Sequence, residues 1–308
     1  MNQILFKSMG SRMLAALDCD SVEAESALKT VPDWFEEWEQ RLSRFRADSE
    51  LSCLNRAGGH PVAVSGTLWE VFQVARQAEL DTEGLVRPTL LDAVIQAGYD
   101  RPFEAMLPQT GSPRVAPLEV TNRADQVTCD PVTHSLNLPE ATHLDFGGVA
   151  KGWAAGKAVQ LLKRYGSALV NAGGDIAISG PRQGGHPWVI GVSDPFHPET
   201  NFASLLLKYG AVATSGTDYH RWKQGKLWNH HIIDPRSGLP ANTDLLTVTV
   251  IAPNTVQAEA AAKAVLILGS SAGMDWLEAD PELAGLMVLQ FGEIRQSQRM
   301  AEYIWSEK

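Results

Sequence analysis

The sequence predicts an α+β fold of mixed, largely antiparallel sheets flanked by helices. Helical patterns dominate its early part, and the remainder is a run of short strands with two helices inserted. Regular β-α-β alternation is missing, so a doubly wound nucleotide-binding sheet is not expected. The chain reads as a single domain over residues 1–308, with two lobes as a variant of that reading.

The elements follow in order. "SRMLAALD" reads as the first strand, and residues 22–45 as helical, broken or restarted at Pro32 and Asp33. "SGTLWEVFQVARQAELDT" opens on a capping Ser65 and places Leu68, Val71, Phe72 and Ala75 at helical spacing. A shorter helix follows Pro88, residues 101–125 read as loop, and "QVTCDPVTHSLNLP" as a hairpin bent at Asp130 and Pro131. "GGVAKGWAAGKAVQLLKRYG" is a helix with Gly166 just past its end. The strands "SALVNA", "DIAIS", "PWVIGVSD", "ASLLLK", "AVATSG", "HHIID" and "LLTVTVIAP" come next. "NTVQAEAAAKAVLILG" is a helix with Asn254 and Gln257 at capping-box spacing and Gly269 as its stop. The tail returns to strand in "LAGLMVLQF" and "EIRQSQ".

Composition narrows the function classes. A net charge of -10 argues against nonspecific nucleic-acid binding, so an anionic ligand needs a locally basic pocket. Cys19, Cys53 and Cys129 are odd in number and lack a C-x-x-C, which points to free thiols in a reducing compartment. No apolar run reaches the ~18 residues of a membrane span, and the start lacks the features of a signal peptide. The cytoplasm is therefore the expected location.

Three glycine-rich junctions mark candidate ligand contacts. "LDFGGVAKG" runs from a strand into a helix start, where backbone N–H groups and the helix dipole favour a phosphate and Lys151 adds a full charge. "NAGGDIAISG" places Gly173 and Gly174 between strands, and "VATSGTDYHRW" places Ser215 at a strand end. Close behind, "HHIIDPRSGLP" offers His230 and His231. Neighbours in one strand point to opposite faces, so a metal held by both is not expected. His231 then reads either as a general base or as a strand histidine bonded to the backbone, and His230 as structural or exposed.

The chain resembles the ApbE-type flavin transferases, the FAD:protein FMN transferases. The resemblance rests on "KSMGSRM", "RLSRFRADSELSCLNRAG", "LDFGGVAKGWAA", "LVNAGGDIAISG", "PWVIGVSDP", "AVATSGTDYHRW", "HHIIDPRSGLPA" and "LTVTVIAP", in the family's order over nearly the whole chain. It implies an ApbE-like fold that binds FAD and, with Mg²⁺, moves FMN onto a Ser or Thr hydroxyl of an acceptor protein with release of AMP. His231 is then implied as catalytic base or hydrogen-bond partner. Met9 and Phe45 are implied as flavin walls. Further FAD contacts are implied at Ala97, Gly98, Tyr99, Asp145, Lys151, Gly173, Gly174, Ser215, Ile233, Ala262 and Lys263, and metal contacts at Gly148 and Glu259.

The sequence also departs from that family pattern. Glu259 and Lys263 stand where the family carries Asp and Thr four residues apart, Gly156 where it tends to carry Asp, and Ala97 where Trp is usual. "LVRPT" replaces a Phe-Asp-Pro-Thr run. Lys263 cannot ligate Mg²⁺ while charged, so its ammonium is expected to take the cation's place; an exposed Glu-Lys helix pair is the competing reading. Function accordingly reads as an active transferase or, alternatively, as an impaired member holding FAD as carrier or sensor. A flavin-independent scaffold ranks last. The expected partners are FAD and the acceptor protein, with neither nucleic acid nor membrane. Many relatives are exported lipoproteins, whereas "MGS" here begins only nine residues in, which also favours a cytoplasmic protein. Oligomeric state is not legible in the sequence.

Overall fold

The computed structural model describes residues 1–106, 122–219, 221–224 and 227–305. The chain divides into two units: Met1–Phe35, Lys151–Asp218 and Thr243–Lys308 form the first, Glu36–Ala150 and Tyr219–Asn242 the second.

The first unit is built on one sheet of eight strands: β1 (Asn2–Ser8), β2 (Ser11–Leu17), β3 (Ala168–Ala172), β4 (Asp175–Ile178), β5 (Gly210–Gly216), β6 (Leu245–Ala252), β7 (Ala284–Leu289) and β8 (Ile294–Gln296). They lie side by side in chain order, each antiparallel to the next. The α+β expectation with antiparallel pairing is thus met. One face packs against the hairpin Trp188–Ser193/Asn201–Leu207 in a cluster that includes Leu169, Ile176, Ile190, Leu205, Val212 and Leu286. Helix Thr255–Leu268 packs on β5 and β6, and its buried Ala258, Ala261, Ala262 and Val265 are small enough to bring it close.

Two tight turns in this unit carry residues of the predicted site. Ala172 pairs with Asp175, leaving Gly173 (φ 67°) and Gly174 (φ 105°) as the two-residue turn from β3 to β4. Positive φ at both positions is the requirement of a two-residue hairpin turn, which glycine meets without strain. Between β1 and β2 the same kind of turn holds Met9 at φ 48°, a left-handed conformation that a non-glycine side chain adopts only at a cost.

The second unit carries helices Glu50–Asn55, Gly66–Asp81 and Leu91–Gln96, with a small sheet ordered Val62–Ala63, Ser135–Asn137, Thr128–Asp130. The Ser65 hydroxyl caps Gly66–Asp81 by accepting the Leu68 N–H at 3.2 Å. That helix buries Leu68, Val71 and Phe72, each contributing about 1.5–3 kcal/mol. Glu79 near its end accepts the Ala124 N–H at 3.0 Å and lies 3.0 Å from Arg123.

Some elements depart from the sequence expectation. The first strand is Asn2–Ser8, preceding the predicted one; it is an edge strand whose Leu5 faces solvent, so its two sides do not separate cleanly by polarity. Helices Glu50–Asn55 and Ser270–Ala279 were not expected, the latter because Gly269 both stops one helix and starts the next. The expected strand "HHIID" is two: Leu227–His230 ends at the first histidine and Ile233–Asp234 restarts beyond a bend at His231. Part of the predicted loop, residues 107–121, lies outside the described residues.

Candidate functional site

In the first unit, two acids and two lysines share one buried cluster. Glu259 on helix Thr255–Leu268 is fully buried. Its Oε1 meets Lys263 Nζ at 2.9 Å and Lys151 Nζ at 3.4 Å, and its Oε2 accepts the Gly152 N–H at 2.9 Å. Lys151 also donates to Asp175 Oδ2 at 2.5 Å. A Cβ on Gly152 would stand 2.7 Å from Glu259 Oε2, so glycine is what admits the carboxylate to this helix start. An anion is favoured there by the dipole, and the protein supplies its own.

The two carboxylates titrate apart. Burial and the neighbouring Glu259 charge push Asp175 up to about 6, with the lysines opposing. Glu259 goes the other way: burial resists ionisation, but Lys263 and Lys151 beside it and the Gly152 N–H hold it below the ordinary range. Lys151 keeps its proton, since Asp175 and Glu259 outweigh the burial that would strip it.

These contacts test the implied Mg²⁺ directly, and the residues do not fit it. Both Glu259 oxygens are already bonded, one of them to a lysine ammonium that repels a divalent cation. No group of three or more His, Cys, Asp or Glu arranged to hold a metal occurs among the described residues. The competing expectation of an exposed helix pair also fails, because Glu259 and Lys263 do pair but in the interior.

In the second unit, aromatic rings gather around Tyr99. It stacks on Trp222 at 5.4 Å between centroids and meets Phe45 (5.6 Å) and His231 (6.2 Å) edge-on. The Arg44 guanidinium lies 4.0 Å from the Phe45 centroid and 4.6 Å from that of Tyr99, with Nε 3.6 Å from Asp145. Arg44 is 6% exposed, and its Nη2 is buried without a hydrogen-bond partner among the described residues. A buried guanidinium donor left open beside aromatic rings is costly unless a ligand completes it.

The backbone holds this cluster in place. The Ala97 carbonyl accepts from Trp222 Nε1 at 3.0 Å and Asn229 Nδ2 at 3.1 Å, fixing the hairpin Arg221–Gln224/Leu227–His230 to the end of helix Leu91–Gln96. Gly98 follows, its N–H bonded to Ile95, and Ile233 packs with Val94, Ala97 and Trp222. Asp145 accepts the Gly147 N–H at 3.0 Å, and Gly148 lies in the adjoining turn.

Of the predicted residues, Phe45, Ala97, Gly98, Tyr99, Asp145, His231 and Ile233 gather in or beside this aromatic cluster. Lys151, Glu259 and Lys263 form the charged one, with Gly173 beside Lys151. Ser215 is buried in β5 opposite Val248, Ala262 is buried in its helix, and Met9 turns between β1 and β2. Sequence reasoning missed Arg44, Trp222 and Asp175. Asp175 had a signal: it is an acid opening the otherwise apolar strand Asp175–Ile178.

Of the two readings of His230, structural or exposed, the buried ring fits the first. Its Nε2 donates to the Ala241 carbonyl at 3.0 Å while Nδ1 accepts the Ile232 N–H at 3.3 Å, the arrangement of a neutral ring. Burial depresses its pKa below the usual 6.5. The unfolded chain therefore takes up this proton before the folded one, and the stability present above pH 6.5 declines as pH falls through the depressed value. Urea denaturation midpoints measured from pH 7.5 downward will show that decline, and His230→Gln will lessen it.

Comparison with known proteins gives a consistent result. The ApbE family model matches residues 9–287. A protein of Treponema pallidum named FAD:protein FMN transferase is 31% identical over 298 residues, covering 90% of this chain and 81% of its own. One of the same name from Klebsiella pneumoniae is 30% identical over 295 residues, covering 93% and 88%. Among solved structures, the ApbE protein of Thermotoga maritima superposes with a TM-score of 0.84 at 24% identity, covering 99% of both chains. The flavin transferase ApbE of Vibrio cholerae gives 0.78 at 24%, covering 98% and 99%.

Proposed function

The chain belongs to the ApbE family, and on that premise we propose that it is an FAD:protein FMN transferase acting on a Ser or Thr hydroxyl of an acceptor protein. The observation that carries this reading is the open Nη2 of Arg44 within the Phe45, Tyr99 and Trp222 cluster. A flat ring system bearing carbonyl acceptors satisfies both the rings and that donor, which an isoalloxazine does.

The step is a displacement at phosphorus. The acceptor oxygen bonds to the FMN phosphorus, the bond to the bridging oxygen breaks, and AMP leaves. The hydroxyl proton passes to His231, whose imidazole stands at the edge of Tyr99. The Lys151 and Lys263 ammonium groups are the positive charge that the first unit offers to a phosphate, and the reaction is assigned without a divalent cation. The Glu259–Lys263 pair is neutral, whereas a carboxylate holding Mg²⁺ keeps a net positive charge. Charge stabilisation is therefore weaker here and transfer is expected to be slow.

That weaker stabilisation also favours the second reading, an FAD carrier or sensor without transfer. Incubation with FAD and a Ser/Thr-bearing protein acceptor separates the two. Transfer gives AMP and covalent flavin in equal amounts, whereas a carrier returns intact FAD. The free Cys19, Cys53 and Cys129 accord with a cytoplasmic location. No described helix is long and apolar enough to cross a membrane.

A further inference from the structure

The two-stranded hairpin Arg221–Gln224/Leu227–His230 has two unlike faces. Trp222 and Asn229 pair across the strands and turn inward, 5% and 6% exposed, where both bond the Ala97 carbonyl. Lys223 and Trp228 pair on the opposite face. Trp228 is 57% exposed, with the Arg221 guanidinium 4.8 Å and the Lys223 ammonium 5.6 Å from its ring centroid. Residues 219–231 contain Arg221, Lys223 and Lys226 and no Asp or Glu, within a chain of net charge -10.

An exposed tryptophan carrying two cations is unusual on an acidic protein, and the inner packing does not need it. Trp and Arg are the residue types that dominate binding hot spots. A basic patch on a chain of net negative charge gives an acidic partner a local attraction that the field of the whole protein does not. Location supplies the second argument. Strand Leu227–His230 runs directly into His231, and Trp222 on the reverse of the ribbon stacks on Tyr99. Whatever docks on the outer face is brought to the candidate base.

We propose that the outer face of this hairpin, Arg221, Lys223 and Trp228, docks an acidic segment of the protein that receives the flavin. The identity of the partner rests on the transferase reading; the docking chemistry does not.

The test uses the full chain without FAD and short fluorescent peptides containing a single Thr, one flanked by Asp and Glu and one by Asn and Gln. The acidic peptide is expected to bind about tenfold more tightly at low salt, from a few exposed ion pairs acting together, and to lose that advantage as salt screens them. The double variant Arg221→Glu/Lys223→Glu is expected to abolish the preference, and Trp228→Ala to weaken both peptides. These side chains are exposed, so near-UV circular dichroism should confirm an unchanged fold. Equal binding of the two peptides, or an unchanged preference in the charge-reversed variant, overturns the proposal. So does tighter binding of a single-stranded oligonucleotide, which would point to a polyanion site. Because no FAD is present, a missing AMP signal and a missing peptide preference count against different conclusions.

Discussion

Replacing His231 by Asn is expected to slow FMN transfer by about 10²–10⁴-fold, the range a positioned general base contributes. FAD affinity should change little, because the replacement retains a planar polar group against Tyr99 while the Phe45, Trp222 and Arg44 contacts stay in place. The measurement is single-turnover AMP release at saturating FAD and acceptor, with flavin fluorescence titration for binding. His230→Gln is the control. That ring is committed to the Ala241 carbonyl and the Ile232 N–H, so its loss lowers stability and leaves the chemical step alone. The bend between the two histidines makes this contrast sharp: one lies in the interior and the other reaches Tyr99. A transfer rate unchanged in His231→Asn contradicts the assignment.

The second large effect concerns Lys263. Removing one partner of a buried ion pair costs about 3–5 kcal/mol, since the remaining charge is stranded. Lys263→Thr should fall at the lower end, because Lys151 and the Gly152 N–H still face Glu259. Denaturant midpoints of the variant against the wild type give the figure. The variant also leaves Glu259 beside a neutral hydroxyl-bearing side chain, in place of the ammonium that excludes a divalent ion. Mn²⁺ should then raise the melting temperature of Lys263→Thr and leave the wild type unmoved, since only a bound ion stabilises the folded state. A wild-type protein stabilised by Mn²⁺ shows that the ammonium does not close the site.

Much of this architecture could be read from the residues alone. Asn254 accepts the Gln257 N–H at the start of its helix and Gly269 ends it, both as the capping pattern implied. The reciprocal half differs, since Asn254 donates to the Gln257 side chain. The edge strand Asn2–Ser8 and helix Ser270–Ala279 escaped because local polarity and a shared glycine blur their boundaries. At the site, the four-residue spacing of Glu259 and Lys263 announced a pair but not its burial, which depends on helix Thr255–Leu268 lying on the sheet with Gly152 against it. Asp175 and Lys151 are partners across the sequence, and no local pattern encodes such a meeting. Arg44 sat next to the predicted Phe45, yet its role follows only from the position of Tyr99.

The central claim is that lysines take the place of a metal beside Glu259 while flavin binding is retained. Calorimetric titration of FAD into the wild-type protein in excess chelator, repeated in excess Mg²⁺, tests it most directly. The same saturable affinity in both conditions is the result expected. Binding that appears only with Mg²⁺ contradicts the claim about the lysines, and no binding in either condition contradicts the flavin site itself.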